Sequence, residues 1–249
     1  MPRYKAIVEY DGTNYCGMQK QKDIDKKTIQ GVLENALSKF ANQPIEIEFS
    51  GRTDAGVHAI GQVIHFDLPE LRDEFKVLYG ANFYLVDESI AVKSVSKVDD
   101  AFHARFSAKK RHYMYRVLNA EVYSPLLNGR VFHYRYKLDI KMMKKVAKML
   151  VGKKMDFSAF CCKESVEKVN TLKTIDKIEI KKVDDEIRFH FEAKSFLHNM
   201  IRIIVGILLE VGRGKITIND VKNILKSKQR SDKCETAPAC GLYFLETKY

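Results

Sequence analysis

Apolar and polar positions along the chain change period several times, and each change marks an element. Arg3 to Tyr10 alternates, with Tyr4, Ala6, Val8 and Tyr10 on one side, which predicts a half-buried strand. From Ile29 the period becomes helical. Ile29, Val32, Leu33, Ala36, Leu37 and Phe40 share a face behind Thr28, whose hydroxyl suits a helix N-cap. Ile45 to Phe49 and Gln62 to Phe66 alternate again. Pro69 is placed to open a helix carrying Phe75, Leu78 and Tyr79, since proline has no N–H to lose in a first turn. Ser89 to Val98 predicts another strand.

The second half reads in the same way. Tyr113, Tyr115 and Val117 alternate, and Val131 to Tyr136 predicts a strand. Asp139 caps a helix through Leu150, with Met142, Met143, Val146, Met149 and Leu150 on its apolar side. Leu172 to Val183 and Ile187 to Ala193 predict a hairpin across Asp184-Asp185. Phe196 to Gly212 is nearly all apolar, a helix buried on most sides and ended by Gly212-Arg213-Gly214. Thr217 to Leu225 predicts one more helix, and Ala237 to Leu245 a closing strand. The first half thus mixes strands and helices in one unit of about 100 residues. Asp99-Asp100-Ala101 reads as the seam between a domain of residues 1–101 and a second of residues 102–249.

Composition narrows the function classes. The 249 residues are 45% hydrophobic, enough for a substantial core, yet no apolar run reaches the roughly 20 residues of a membrane span. Met1-Pro2-Arg3 leads directly into a strand pattern rather than a signal peptide, so a cytoplasmic protein is expected. The five cysteines, Cys16, Cys161, Cys162, Cys234 and Cys240, show neither disulfide-framework nor zinc spacing, and read as reduced thiols. No metal site is expected. The formal net charge of +11 suits a polyanion, above all nucleic acid, although lysine also simply fills exposed positions.

Three stretches carry candidate chemistry. The first is Gly51-Arg52-Thr53-Asp54-Ala55-Gly56-Val57-His58-Ala59, a loop between two strand patterns. Arg52 and Asp54 can be aimed at one target from such a loop. Asp54 is then a candidate nucleophile or base, and Arg52 a phosphate ligand. The ordinary alternative is a turn with a surface ion pair. The second runs from Phe102-His103-Ala104-Arg105-Phe106-Ser107 through Lys109, Lys110 and Arg111 to Tyr113. Basic residues interleaved with aromatics suit a phosphate chain with unstacked bases, or equally a charged edge strand. The third is Arg202, alone in the apolar helix a turn after Asn199; a buried arginine there needs a partner from another element. Lys141, Lys144, Lys145, Lys148, Lys153 and Lys154 form either a solvated helix face or an RNA contact.

The string from Gly51 to Ala59 closely resembles the signature of the TruA-type tRNA pseudouridine synthases. The likeness extends from Tyr10 to Leu245, through Tyr10-Asp11-Gly12, the Phe102-His103-Ala104-Arg105-Phe106-Ser107 run and Gly241-Leu242-Tyr243. One departure is Met18, where the family usually has tryptophan. The resemblance implies two α+β domains joined through a long mixed, mainly antiparallel sheet, with helices packed on it and a basic cleft between the domains. It implies isomerisation of uridines 38, 39 and 40 in the tRNA anticodon arm by a homodimer without cofactor or metal. By the same resemblance Asp54 is the catalyst, Tyr113 stacks on the target base, Arg202 pairs with Asp54, and Leu242 packs near the base. Arg52 holds phosphate or helps the base out of its stack, and Arg105, Lys109, Lys110 and Arg111 meet the tRNA backbone. His58 reads as a structural loop histidine. The alternatives are a synthase with another RNA target and a non-catalytic RNA-binding protein of the same fold.

Overall fold

In a computed structural model of the chain, the described residues are 1–21, 26–162, 167, 169–231 and 235–249; Cys234 lies outside them. The chain divides into two compact units, Met1–Arg111 with Tyr243–Tyr249, and His112–Leu242. The division falls near the start of a strand rather than at Asp99-Asp100-Ala101. Each unit combines a mixed sheet with helices, the α+β architecture that the resemblance implies.

The first unit is built on β1 (Arg3–Tyr10), whose alternation buries Tyr4, Ala6, Val8 and Tyr10. β1 pairs antiparallel with β3 (His58–Asp67), from Arg3 opposite Asp67 to Tyr10 opposite Ala59, and on its other side with β4 (Ile90–Val98). β2 (Glu48–Phe49) adds to β3 antiparallel. The last strand, β10 (Leu242–Lys248), adds to β3 in parallel through Tyr243 opposite His58. Helix α1 (Ile29–Ala41) starts at Thr28, whose side chain accepts from Gly31 N–H, and buries Leu33, Ala36 and Leu37. Helix α2 (Glu74–Phe83) packs on α1 and β4.

The start of α2 corrects the expectation from Pro69. Asp73 is the N-cap, its carboxylate accepting from the Phe75 and Lys76 N–H groups. Upstream, the Tyr4 hydroxyl takes the Arg72 N–H at 2.8 Å and donates to the Arg72 carbonyl at 2.7 Å. That clamp on both backbone groups of Arg72 holds the preceding residues out of the helix. The motif's tail also belongs to regular structure, because β3 begins at His58 rather than at Gln62.

The second unit contains most of β5 (Lys110–Leu118), with β9 (Glu186–Ala193), β8 (Leu172–Val183) and β7 (Lys154–Asp156) following in that sheet order. β8 and β9 form the expected hairpin, with Asp184 in the left-handed region at φ 53°. Short β6 (Phe132–His133) runs parallel to β5, and is all that forms of the strand expected over Val131 to Tyr136. Helix α3 (Ile140–Met149) is capped by Asp139, buries Met143 and Val146, and exposes Lys141, Lys144, Lys145 and Lys148. Helix α4 (Met200–Gly212) is the nearly all-buried apolar helix, four residues shorter at its start than the sequence pattern. Thr217 and Asp220 close a reciprocal capping box on α5 (Ile218–Ser227). The closing strand also starts later than its pattern, since Ala237 is bonded to α4 instead of a strand: Arg202 donates to its carbonyl and its N–H donates back to the Arg202 carbonyl. No described helix is long and apolar enough to cross a membrane.

Candidate active site

The loop Gly51 to Val57 is fixed from two directions inside the first unit. Beneath its entrance, Gln62 sits fully buried on β3, accepts from the Ser50 hydroxyl at 2.7 Å and donates to the Gly51 carbonyl at 2.8 Å. Thr247 of β10 donates to the same Ser50 hydroxyl, and Arg111 donates from Nε to the Ser50 carbonyl at 2.8 Å. One step on, the Thr53 hydroxyl is bonded to the buried Tyr10 hydroxyl at 2.8 Å. Burial pushes the Tyr10 phenol up to about 12, against the lowering effect of Thr53 and Gln62, so this contact keeps its proton across the physiological range.

From the other side, the loop from Asp11 to Gln21 lies directly against the motif. Met18 N–H donates to the Thr53 carbonyl at 3.0 Å, and Gly56 N–H to the Tyr15 carbonyl at 3.4 Å. The approach is close enough to demand glycine. A Cβ at Gly12 would stand 2.0 Å from the Val57 carbonyl oxygen. Gly17, at φ +89°, would put one 2.6 Å from the Thr53 carbonyl oxygen. His58 joins the two loops from below: its Nδ1 accepts from Gly12 N–H at 3.0 Å, and its ring packs on Tyr243 at 4.8 Å. Asp11 approaches the same Nδ1 at 3.2 Å.

Asp54 stands at the head of this clamped loop. Its carbonyl accepts from Val57 N–H at 3.1 Å, closing a tight turn, while Thr53 before it and Val57 after it are buried. Asp54 itself is partly exposed and Arg52 is exposed. The loop backbone is thus held at Thr53, Asp54, Gly56 and Val57 while Asp54 stays partly exposed and Arg52 exposed, an arrangement that suits a positioned nucleophile or base.

The basic run divides into two kinds of residue. Arg105 and Lys109 are exposed and Lys110 is partly so, as a backbone contact needs. The Arg105 guanidinium lies over the exposed Phe106 ring, 5.6 Å from its centroid. Arg111 instead directs its guanidinium to the Ser50 and Arg105 carbonyls, a tether between this run and the motif loop.

In the second unit, Tyr113 is buried on β5 with its ring edge-on to Phe196 at 5.3 Å. Arg202 is partly buried on α4. Nε donates to the Ala237 carbonyl at 2.8 Å and a terminal nitrogen donates to the Asn199 side chain at 2.9 Å. From Ala237 the chain continues over Tyr115, whose hydroxyl donates to the Pro238 carbonyl, to Leu242, buried at the start of β10. Arg202 therefore also anchors the segment that delivers Leu242.

A family model described as tRNA pseudouridine synthase matches residues 6–107 and 146–249. The chain belongs to that family. Its reaction turns a uridine of tRNA into pseudouridine, an isomerisation. The matched ranges include the motif loop, the Asp11 loop, Arg202 and Leu242. Relatives called tRNA pseudouridine synthase A agree over their full length. The one from Ehrlichia chaffeensis is 45% identical over 99% of this chain and 100% of its own. That from Wolbachia pipientis is 42% identical over 99% and 100%, and that from Caulobacter vibrioides 40% over 100% and 99%.

Supports beneath the motif that sequence reasoning did not single out are Ser50, Gln62 and Thr247. One of them left a signal, since Gln62 shares a strand face with Ile64 and Phe66, and a polar side chain in a core-facing position needs hydrogen-bond partners.

Proposed function

We propose that the chain forms pseudouridine at positions 38, 39 and 40 of the tRNA anticodon arm, with Asp54 as catalyst, working as a cytoplasmic homodimer. The observation that carries this reading is the clamped loop, in which the Thr53 and Asp54 carbonyls and the Gly56 and Val57 N–H groups are all bonded while Asp54 stays partly exposed. Pseudouridine formation breaks the bond from ribose C1′ to N1 of uracil. It then turns the base, joins C1′ to C5 and moves the C5 proton away, N1 ending protonated. One carboxylate serves both halves of this sequence, as nucleophile or base in the first and proton acceptor in the second.

In this reading Tyr113 is the surface on which the unstacked uracil rests and Leu242 its apolar neighbour. Arg202 is assigned as the partner of Asp54. Arg52, exposed beside the catalyst, takes a backbone phosphate, and Arg105, Lys109 and Lys110 extend that contact along the strand. Arg111 serves by holding Ser50, at the mouth of the loop. The test is incubation of the protein with unmodified tRNA, followed by chemical mapping of pseudouridine at every position. New pseudouridine confined to 38–40 is expected. Modification at other positions only would overturn the assignment of target, and none at all the assignment of activity.

A further inference from the structure

Helix α2 is apolar on two faces. Val77, Gly80 and Ala81 turn inward, Gly80 against the Phe40 ring of α1. On the outside, Phe75, Tyr79 and Phe83 form a second stripe at intervals of four residues, 64, 59 and 73% exposed. The Phe75 and Tyr79 rings pack on each other at 4.3 Å, and Phe83 packs edge-on to Tyr84, itself 41% exposed, at 5.1 Å. At about 200 Å² per aromatic side chain, these four leave roughly 500 Å² uncovered. Leu71 and Val86, exposed at the two ends of the helix, enlarge the patch further. A helix with one buried face needs no second apolar face in a monomer. The patch approaches the roughly 800 Å² that each partner contributes to a standard interface.

We infer that this face is where two copies of the chain meet, α2 against α2 across a two-fold axis at Tyr79; the inference rests on the homodimer reading above. The spacing supports a self-complementary contact. Residues four apart form the ridge that interdigitates with an identical ridge in the commonest helix packing. A two-fold at Tyr79 brings Phe75 of each copy to Phe83 of the other, as an isologous interface requires. Charge fits as well. The N-terminal end of α2 exposes Asp73 and Glu74 together with Lys76, a net negative end, and the C-terminal end has Lys39 of α1 at 6.0 Å from the Tyr84 ring centroid. The two-fold lays each acidic end beside the other copy's Lys39. Asp73, Glu74 and Asp87 offset Lys39 and Lys76, so the face lacks the positive excess that a nucleic-acid surface draws on.

Sedimentation velocity across micromolar concentrations tests this on the whole chain, with Tyr79→Glu and, as control, Leu126→Glu, which charges an exposed apolar residue of the other unit. The wild type and the control are expected to be dimers. Tyr79→Glu is expected to associate about thirtyfold more weakly or worse, as for loss of a hot-spot residue, while keeping the wild-type circular dichroism. Tyr79→Cys, oxidised and run without reducing agent, should link to itself, because the axis sets the residue beside its own copy. A monomeric wild type removes the dimer reading itself. A dimeric wild type with a dimeric Tyr79→Glu removes this face as the interface and leaves the dimer standing. If Tyr79→Glu does not fold, the Tyr79→Cys link decides, and its absence overturns the inference.

Discussion

At the scale of single residues, the site depends on polar groups whose partners lie in other elements. Arg202 is the example. The sequence showed a charge inside an apolar helix and the need for a partner. Two of its partners are the Ala237 carbonyl and the Asn199 side chain, groups that no charge pattern announces. Arg202→Met strands the Ala237 carbonyl and is expected to cost about 1–3 kcal/mol of stability in urea melts. If Arg202 is also the counter-charge of Asp54, the double variant with Asp54→Asn departs from additivity by about 0.5 kcal/mol or more. Strict additivity removes that pairing. His65 gives a pH signature. Burial, with Arg3 and His103 nearby, lowers its pKa from 6.5 to about 4, and its Nδ1 accepts from Ala104 N–H. The folded state thus resists a proton that the unfolded chain takes. Stability is level above pH 6.5 and falls as pH drops from 6.5 towards 4, by roughly 1–3 kcal/mol. Urea midpoints at pH 7.5 and 4.5 should show that fall, and His65→Gln should reduce it; an unchanged fall in the variant points to other groups.

At the scale of elements, boundaries set by local chemistry were legible and those set by distant contacts were not. Thr28, Asp139 and Thr217 each cap the helix that the sequence placed after them. The hairpin turns at Asp184 because a two-residue polar break between alternating runs permits little else. By contrast α2 begins at Asp73 because Tyr4, distant in sequence, holds Arg72. The closing strand is delayed because α4 holds Ala237. The motif string itself marked the candidate loop, yet its clamp of Gly12, Gly17, Tyr10 and Gln62 needed three dimensions. Gly17→Ala measures that clamp. A Cβ at positive φ and 2.6 Å from the Thr53 carbonyl oxygen must displace one loop or the other. The expected result is a loss of more than about 1 kcal/mol of stability, with kcat falling while tRNA affinity stays near wild type. Unchanged turnover would show that the position of the Thr53–Asp54 backbone does not govern the rate.

At the scale of the whole molecule, binding and chemistry rest on different features. Binding draws on a net charge of +11, with exposed Arg52, Arg105 and Lys109 among its sources. The logarithm of the tRNA association constant should therefore fall linearly with the logarithm of salt, by about 0.7–0.9 for each phosphate contacted. A flat salt titration contradicts an electrostatic grip. Chemistry is assigned to one carboxylate. Asp54→Asn keeps the shape of the side chain and removes its charge and its basicity. Pseudouridine formation on unmodified tRNA, measured with this variant beside its tRNA affinity, is the most direct test of the account. The expected result is a rate lower by more than the roughly 10²–10⁴ of an ordinary general base, with affinity nearly unchanged. Substantial turnover by Asp54→Asn would place the catalyst elsewhere and contradict the account.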